Sequence, residues 1–165
     1  MKTNLTRWEH LPDFPLYNDQ LCSIAKAELE IFLNPSDATI TMAMVNNYVK
    51  NKIIPKPEKK KYTKQHLASV IVITLLKQIF TIDEIKKGIS LMLAIYDYEK
   101  SYDMFCDLIE KDVSTVKEEK SIHNTDINTY LSCATKSIAN NIYVKNYLST
   151  KEVKWWKPMN LMQKA

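Results

Sequence analysis

The chain has 165 residues, 45% of them apolar, and a formal net charge of +4, so it can bury the core of one domain or of two small ones. Its single glycine, Gly88, excludes the glycine-rich loops that bind nucleotide phosphates and the glycine-flanked nucleophile elbow of hydrolases. The same scarcity of glycine argues against a turn-rich β fold, and we predict a mostly helical protein.

Residues 1–38 are predicted to form an irregular arm followed by one helix. Two prolines interrupt residues 1–17, and three apolar side chains are expected to fix this arm to the body of the protein. They are Trp8, Phe14 and Leu16. Asn18 or Asp19 then caps a helix that runs to about Asn34.

Residues 39–93 are predicted to begin with a helix and a charged loop. Thr39 or Thr41 caps the helix, which ends at about Asn51. The prolines at positions 55 and 57 cannot continue a helix and push the residues before them toward extended geometry. We therefore predict a small β-hairpin or loop at residues 52–62, the candidate wing, and call this segment the lysine loop.

Two further helices follow the lysine loop. Thr63 caps a helix to about Phe80 that is apolar on nearly all sides, as expected for a helix in the middle of a domain. Its β-branched residues also suit a strand, but its length favours a helix. Thr81 and Glu84 have the spacing of a capping box. The predicted order of elements is a helix, a wing and two further helices. A winged helix-turn-helix uses this order to place one helix in a DNA groove and a charged loop on the phosphates.

Nine polar side chains in this region are candidates for DNA contacts. Asn46 and Asn47 can discriminate bases, because a side-chain amide can pair with adenine in the major groove and disfavour other bases by about 1–3 kcal/mol. Lys50 would hold a phosphate at the edge of the groove. Six more lysines would neutralise phosphates: Lys52, Lys56, Lys59, Lys60, Lys61 and Lys64. A lysine run alone is more often a solvated loop, but its combination with the capped helices favours DNA contact.

The same region carries a resemblance to known families. The residues concerned are Val45-Asn46-Asn47-Tyr48, Ile53-Ile54-Pro55 and Pro57, Lys61-Tyr62-Thr63, Leu67, and Thr81-Ile82-Asp83-Glu84-Ile85. Their order resembles the MerR-type winged-helix motif, which implies a recognition helix, a strand leaving it, the return of the wing and two following helices. The whole chain, with Leu16-Tyr17 and Asn46-Asn47-Tyr48, also resembles a bacterial family of unknown function, which implies no particular activity.

The chain departs from the MerR-type pattern at the positions that would read DNA. Asn46 and Asn47 stand where that family usually has arginine followed by tyrosine, and Lys52 stands where it has glycine. The candidate wing is also several residues shorter. The resemblance therefore implies the architecture, but neither the sequence preference nor the wing contacts.

Residues 94–165 are predicted to form a C-terminal helical region. A break at Asp97, a polar loop at residues 111–124 and a long helix at residues 125–148 are expected. The long helix has an apolar stripe: Ile127, Leu131, Ala134, Ile138 and Ile142. Packing on the preceding helix is the favoured interpretation, and a homodimer interface through the C-terminal helices is the alternative, because operator half-sites usually meet two-fold proteins.

The adjacent Trp155 and Trp156 are expected either to dock on the protein itself, which we favour, or to anchor a partner. Three separated cysteines, the absence of an apolar leader and apolar runs too short for a bilayer predict a cytoplasmic protein without a membrane segment. The three histidines are scattered, and His66 is interpreted as a surface or capping residue. Asp103, Asp107 and Glu110 share a helical face, which is interpreted as solvated.

These patterns together predict a bacterial transcriptional regulator that binds double-stranded DNA, with no catalysis, metal or cofactor. Its recognition helix would lie in the major groove and its lysine loop on the phosphates. The alternative is a protein–protein interaction module that keeps the winged-helix fold without binding DNA, and uses the lysine loop or the tryptophans to hold an acidic partner. Steep salt dependence would distinguish DNA binding from this alternative.

Overall fold

The computed structural model describes residues 4–34, 36–119 and 127–151. A 3-10 turn at Trp8–His10 precedes six α-helices in these ranges: α1 (Asn18–Leu29), α2 (Met42–Lys50), α3 (Lys64–Leu76), α4 (Ile82–Leu93), α5 (Tyr98–Glu119) and α6 (Ile127–Thr150). The prediction of a mostly helical protein is confirmed. None of the described helices is both long and apolar enough to cross a bilayer.

Helix α3 is the centre of the core. Its residues Leu67, Val70, Ile71 and Ile73 are fully buried, and it packs against α1 and α5. Each such side chain contributes about 1.5–3 kcal/mol by leaving water. The Thr74 hydroxyl, also buried, donates to the Val70 carbonyl at 2.8 Å, so this buried polar group is satisfied within the helix.

Threonine caps set the starts of the helices around α3. The Thr41 hydroxyl accepts from the Met44 amide at 3.2 Å at the start of α2. At the start of α4 the Glu84 carboxylate accepts from the Thr81 amide at 2.8 Å, which completes the predicted capping box. Thr63 is the N-cap of α3, as predicted, and Thr41, one of the two predicted caps, is the N-cap of α2.

The N-terminal arm is fixed by the acidic face of α5, so the prediction that this face is solvated is wrong. Arg7 donates to both oxygens of Glu110, at 2.8 and 2.7 Å, and to Asp107 at 2.8 Å. The Trp8 amide donates to Asp103 at 2.9 Å. Because Arg7 donates to it, the pKa of Glu110 is lowered. We call this cluster the arm clamp.

Apolar contacts of the arm also differ from the prediction. Leu5, Leu11 and Leu16 are buried, Trp8 packs partly against the core, and Phe14 is 60% exposed. Phe14 therefore does not anchor the arm.

Several predicted boundaries were wrong. α1 ends at Leu29 rather than near residue 34, and α3 ends at Leu76 rather than near residue 80. The polar stretch at residues 111–119 continues α5 instead of forming a loop.

The apolar stripe of α6 does not pack on α5 as favoured. Leu131, Ile138 and Ile142 are each more than half exposed. α6 instead contacts α4, with Lys145 at 3.6 Å from Glu84 and Asn141 donating to the Ile79 carbonyl at 3.0 Å. These polar contacts and the buried Leu148 hold the described part of α6, while Leu131, Ile138 and Ile142 of the predicted stripe face solvent.

Candidate nucleic-acid interface

Helix α2 presents the predicted polar face to solvent. Val45 and Tyr48 are buried and α2 packs against α1, whereas Asn46, Asn47 and Lys50 are exposed. The helical period puts the buried pair and the exposed set on different sides.

The two asparagine side chains are oriented by neighbouring amides. Asn18 Nδ2 donates to Asn46 Oδ1 at 3.2 Å, and Asn51 Nδ2 donates to Asn47 Oδ1 and to its carbonyl, both at 2.9 Å. An amide oxygen accepts two hydrogen bonds and the amide nitrogen donates two. The contacts therefore restrict the side chains and still leave capacity for pairing with a base.

The end of α2 requires a left-handed residue, and that residue is Lys52. The Ile53 amide donates to the Tyr48 carbonyl and the Lys52 amide to the Val49 carbonyl, both at 3.0 Å, which is the pattern of a Schellman cap. Lys52 has φ 56°, a conformation that glycine adopts without cost and lysine does not. This left-handed conformation therefore occurs on a charged side chain.

The tip of the lysine loop is a tight turn of the same kind. The Lys61 amide donates to the Glu58 carbonyl at 2.7 Å, and the two central residues, Lys59 and Lys60, have φ 46° and 61°. Positive φ at both central positions is the mark of a type I′ turn, which favours asparagine and glycine. All non-glycine residues with positive φ in the described ranges are thus lysines of this loop.

The two-stranded wing is absent from residues 52–62, which contain only isolated bridges. Tyr62 pairs with Leu16 of the arm through two hydrogen bonds of 2.8 Å, while Ile53 and Ile54 are buried in the core. The prolines between Ile54 and the turn cannot donate to a neighbouring strand, so the returning chain pairs with the arm instead.

His66 connects the lysine loop to α3. Its Nδ1 accepts from the Thr63 amide at 3.0 Å, which completes the cap of α3, and its Nε2 lies 3.2 Å from the Pro55 carbonyl. These contacts require a neutral ring protonated on Nε2. Burial lowers the pKa of His66. The capping interpretation of His66 is confirmed, and the surface interpretation was wrong, since the residue is 4% exposed.

The predicted lysines differ in their availability to a ligand. Five are exposed: Lys50, Lys52, Lys56, Lys59 and Lys60. The Lys61 ammonium lies 3.0 Å from the centroid of the Tyr17 ring. The Lys64 side chain is only 13% exposed, and its ammonium is 3.8 Å from Asp13. Lys61 and Lys64 therefore stabilise the arm and are less available to phosphate than the other five.

A family model described as a domain of unknown function, DUF1836, matches residues 6–105. The chain belongs to the DUF1836 family. The match extends from the arm through α2, the lysine loop, α3 and α4 into α5, and so includes every candidate DNA contact of the DUF1836 chain. No curated protein and no solved structure matches it.

Other predicted site residues lie apart from this surface or outside the described ranges. Trp155 and Trp156, the predicted tail anchors, lie outside the described residues. In the part of the chain that the structure describes, no three histidine, cysteine, aspartate or glutamate side chains are grouped to hold a metal ion. Sequence reasoning missed Asn18, which orients Asn46 from another helix, and no local pattern signals such a contact.

Proposed function

We propose that the DUF1836 chain is a transcriptional regulator that binds double-stranded DNA in the manner of a MerR-like winged helix-turn-helix. Helix α2 lies in the major groove with Asn46 and Asn47 toward the bases, and the lysine loop lies on the phosphate backbone. The wing of this arrangement is a single tight turn rather than a two-stranded sheet.

The observation that carries this proposal is the juxtaposition of two exposed sets of side chains. Asn46 and Asn47 on α2 can read bases, and five exposed lysines follow within residues 50–60, opposed there only by Glu58. Amides supply base discrimination and lysines supply counterion release, which are the two contributions that a DNA interface combines.

The backbone of the lysine loop supports the same conclusion. Lys52, Lys59 and Lys60 adopt conformations in which glycine would be more stable. Unfavourable backbone conformations concentrate at functional sites. A charged side chain at all three positions is explained if the positive charge is used to bind an anionic partner.

The test is fluorescence anisotropy of a labelled random duplex titrated with the purified chain at two salt concentrations. If five lysines contact phosphates, log K should fall against log salt with a slope of about −4 to −5. The double variant Lys59→Glu, Lys60→Glu should bind more weakly, with a slope reduced by about 2. Absence of binding by the folded wild type at low salt would refute the proposal.

The matched control reverses two exposed lysines away from this surface, Lys111 on α5 and Lys136 on α6. Lys111→Glu, Lys136→Glu changes the net charge by the same amount as the loop variant. If the lysine loop contacts DNA, only the loop variant loses affinity strongly. Equal losses in both variants would mean that binding follows net charge rather than this loop.

A second candidate function is a protein-interaction module. The exposed apolar side chains of Leu131, Ile138 and Ile142 on α6 favour it, because neighbouring exposed apolar side chains often mark interaction sites. A second copy of the chain is the partner that fits both candidate functions, since a homodimer through α6 would present two copies of α2 to a two-fold operator. If the chain is monomeric and does not bind DNA, a module that binds a different protein becomes the better explanation.

A further inference from the structure

A pocket of about 360 Å³ lies between α3, α4 and α5, away from the lysine loop. Apolar side chains such as Val72, Ile89 and Phe105 form its wall, and the described lining contains no lysine, arginine, histidine, aspartate or glutamate. Protein interiors leave few openings larger than a water molecule. Water inside an apolar opening finds few hydrogen-bond partners, so an apolar ligand would displace it favourably.

The glycine of the chain enlarges this pocket. Gly88 lies in the middle of α4, where glycine is less favourable than alanine. A Cβ added at Gly88 would meet no atom within 4 Å, so close packing does not require glycine there. Since Gly88 lines the pocket, a larger side chain at this position would take up space that the pocket offers.

A hydroxyl group in the lining lacks a hydrogen-bond partner. Ser101 Oγ is buried and unpaired among the described residues, whereas Ser90 on α4 and Ser114 further along α5 donate to backbone carbonyls at 2.8 Å. A buried hydroxyl without a partner destabilises the protein. A ligand that carries a hydroxyl or carbonyl group would satisfy Ser101.

We propose that this pocket binds a neutral amphiphilic small molecule, an apolar chain or ring with one hydroxyl or carbonyl group. The apolar part packs against α3 and α4, and the polar group pairs with Ser101 Oγ. A carboxylate is disfavoured because no cation of the lining would balance its charge. Met92 and Met104 of the lining adapt to the outline of the ligand, since methionine is flexible and polarizable.

The probe is 1-decanol, and binding is followed by NMR of the chain labelled at its methionine methyl groups. Saturable shifts of Met92 and Met104 are expected, while Met42 and Met44 on α2 stay unchanged. Decanoate should bind at least about tenfold more weakly. Shifts of all four methyl groups, equal affinity for decanoate, or no saturation would overturn the assignment. This comparison uses the wild-type chain and does not depend on any variant.

Three variants locate the ligand within the pocket. Gly88→Leu should abolish the shifts, Ser101→Ala should weaken decanol binding by about 2–10-fold, and Ser114→Ala, the control on the same helix, should leave it unchanged. Retained binding in a folded Gly88→Leu protein would refute the site. Shifts of Met92 and Met104 that depend on protein concentration without alcohol would show that a second copy covers the pocket, and would also refute it.

Discussion

Replacing Lys60 by glycine should make the protein more stable and, at the same time, a weaker DNA binder. Lys60 has φ 61°, where a side chain costs about 1–2 kcal/mol relative to glycine. Glycine also raises the conformational entropy of the unfolded chain, which offsets about 0.4–1 kcal/mol of this gain in stability. The free energy of unfolding should rise by about 0.5–1 kcal/mol, and Tm by about 1–4 °C for a chain of this length.

Lys56 provides the matched control, because it is an exposed lysine of the same loop without positive φ. Lys56→Gly removes the same charge, relieves no backbone strain and loosens the unfolded chain. Its free energy of unfolding should therefore fall by about 0.4–1 kcal/mol. Each variant should weaken binding to duplex DNA and reduce the salt slope by about 0.9.

Urea unfolding and DNA anisotropy across a salt series measure the two effects separately. If Lys60→Gly raises the free energy of unfolding and Lys56→Gly lowers it, the difference measures the backbone strain at Lys60. If both variants lose a similar amount of DNA affinity, that loss measures the contribution of one positive charge. If Lys60→Gly destabilises the protein as Lys56→Gly does, the left-handed geometry of the turn does not limit stability. If the salt slope is the same in both variants and the wild type, the lysine loop does not contact phosphates.

The remaining predictions concern the arm clamp, His66 and α6. Arg7→Ala should lower the free energy of unfolding by about 1.5–3 kcal/mol, because it removes both guanidinium donors from the largely covered Glu110 carboxylate and leaves it the Leu5 amide. The exposed Asp107→Ala should cost about 0.5 kcal/mol or less. Equal effects in urea unfolding would contradict the arm clamp. The pKa of His66 in the folded protein lies below 6.5, its ordinary value. The neutral ring therefore contributes fully to stability above pH 6.5, and this contribution is lost as the pH falls from 6.5 toward the pKa of the folded state. Melting curves between about pH 7.5 and pH 5 should show this loss in the wild type and a smaller one in His66→Gln; identical curves would exclude His66 as the cause. Ile138→Asp should convert a dimer into a monomer in light scattering, and a monomeric wild type would refute the α6 interface.

The parts of the fold that were predictable from the sequence depend on neighbours in the chain. The starts of α2, α3 and α4 were readable because Thr41, Thr63 and Thr81 act within one helical turn. The central position of α3 was readable because apolar residues surround it on all sides. The exposed face of α2 followed from the period of 3.6 residues.

The parts that were not predictable depend on contacts between distant residues. Tyr62 pairs with Leu16, 46 positions earlier, and no local pattern distinguishes this partner from a strand of a wing. Arg7 and Glu110 are separated by 103 positions, so the acidic face of α5 could be read only as solvated. Of the candidate site, the exposed polar face of α2 was predictable, whereas the low exposure of Lys64 and the contact of Lys61 with Tyr17 were not.

In two regions of the chain the residue present is not the one that the local backbone geometry prefers. One region has side chains where glycine is preferred, and the other has glycine where a side chain is preferred. Lysines occupy the left-handed positions 52, 59 and 60, where glycine is preferred, while Gly88 occupies the middle of a helix, where alanine is preferred. Selection for stability alone would favour glycine at positions 52, 59 and 60 and alanine at position 88. The proposed anionic partner would account for the lysines, and the proposed ligand of the pocket would account for the glycine. Since the lysine loop does not line the pocket, Lys60→Gly should leave decanol binding unchanged, and Gly88→Leu should leave the salt slope of DNA binding unchanged. A change in either measurement would show that the two sites are coupled.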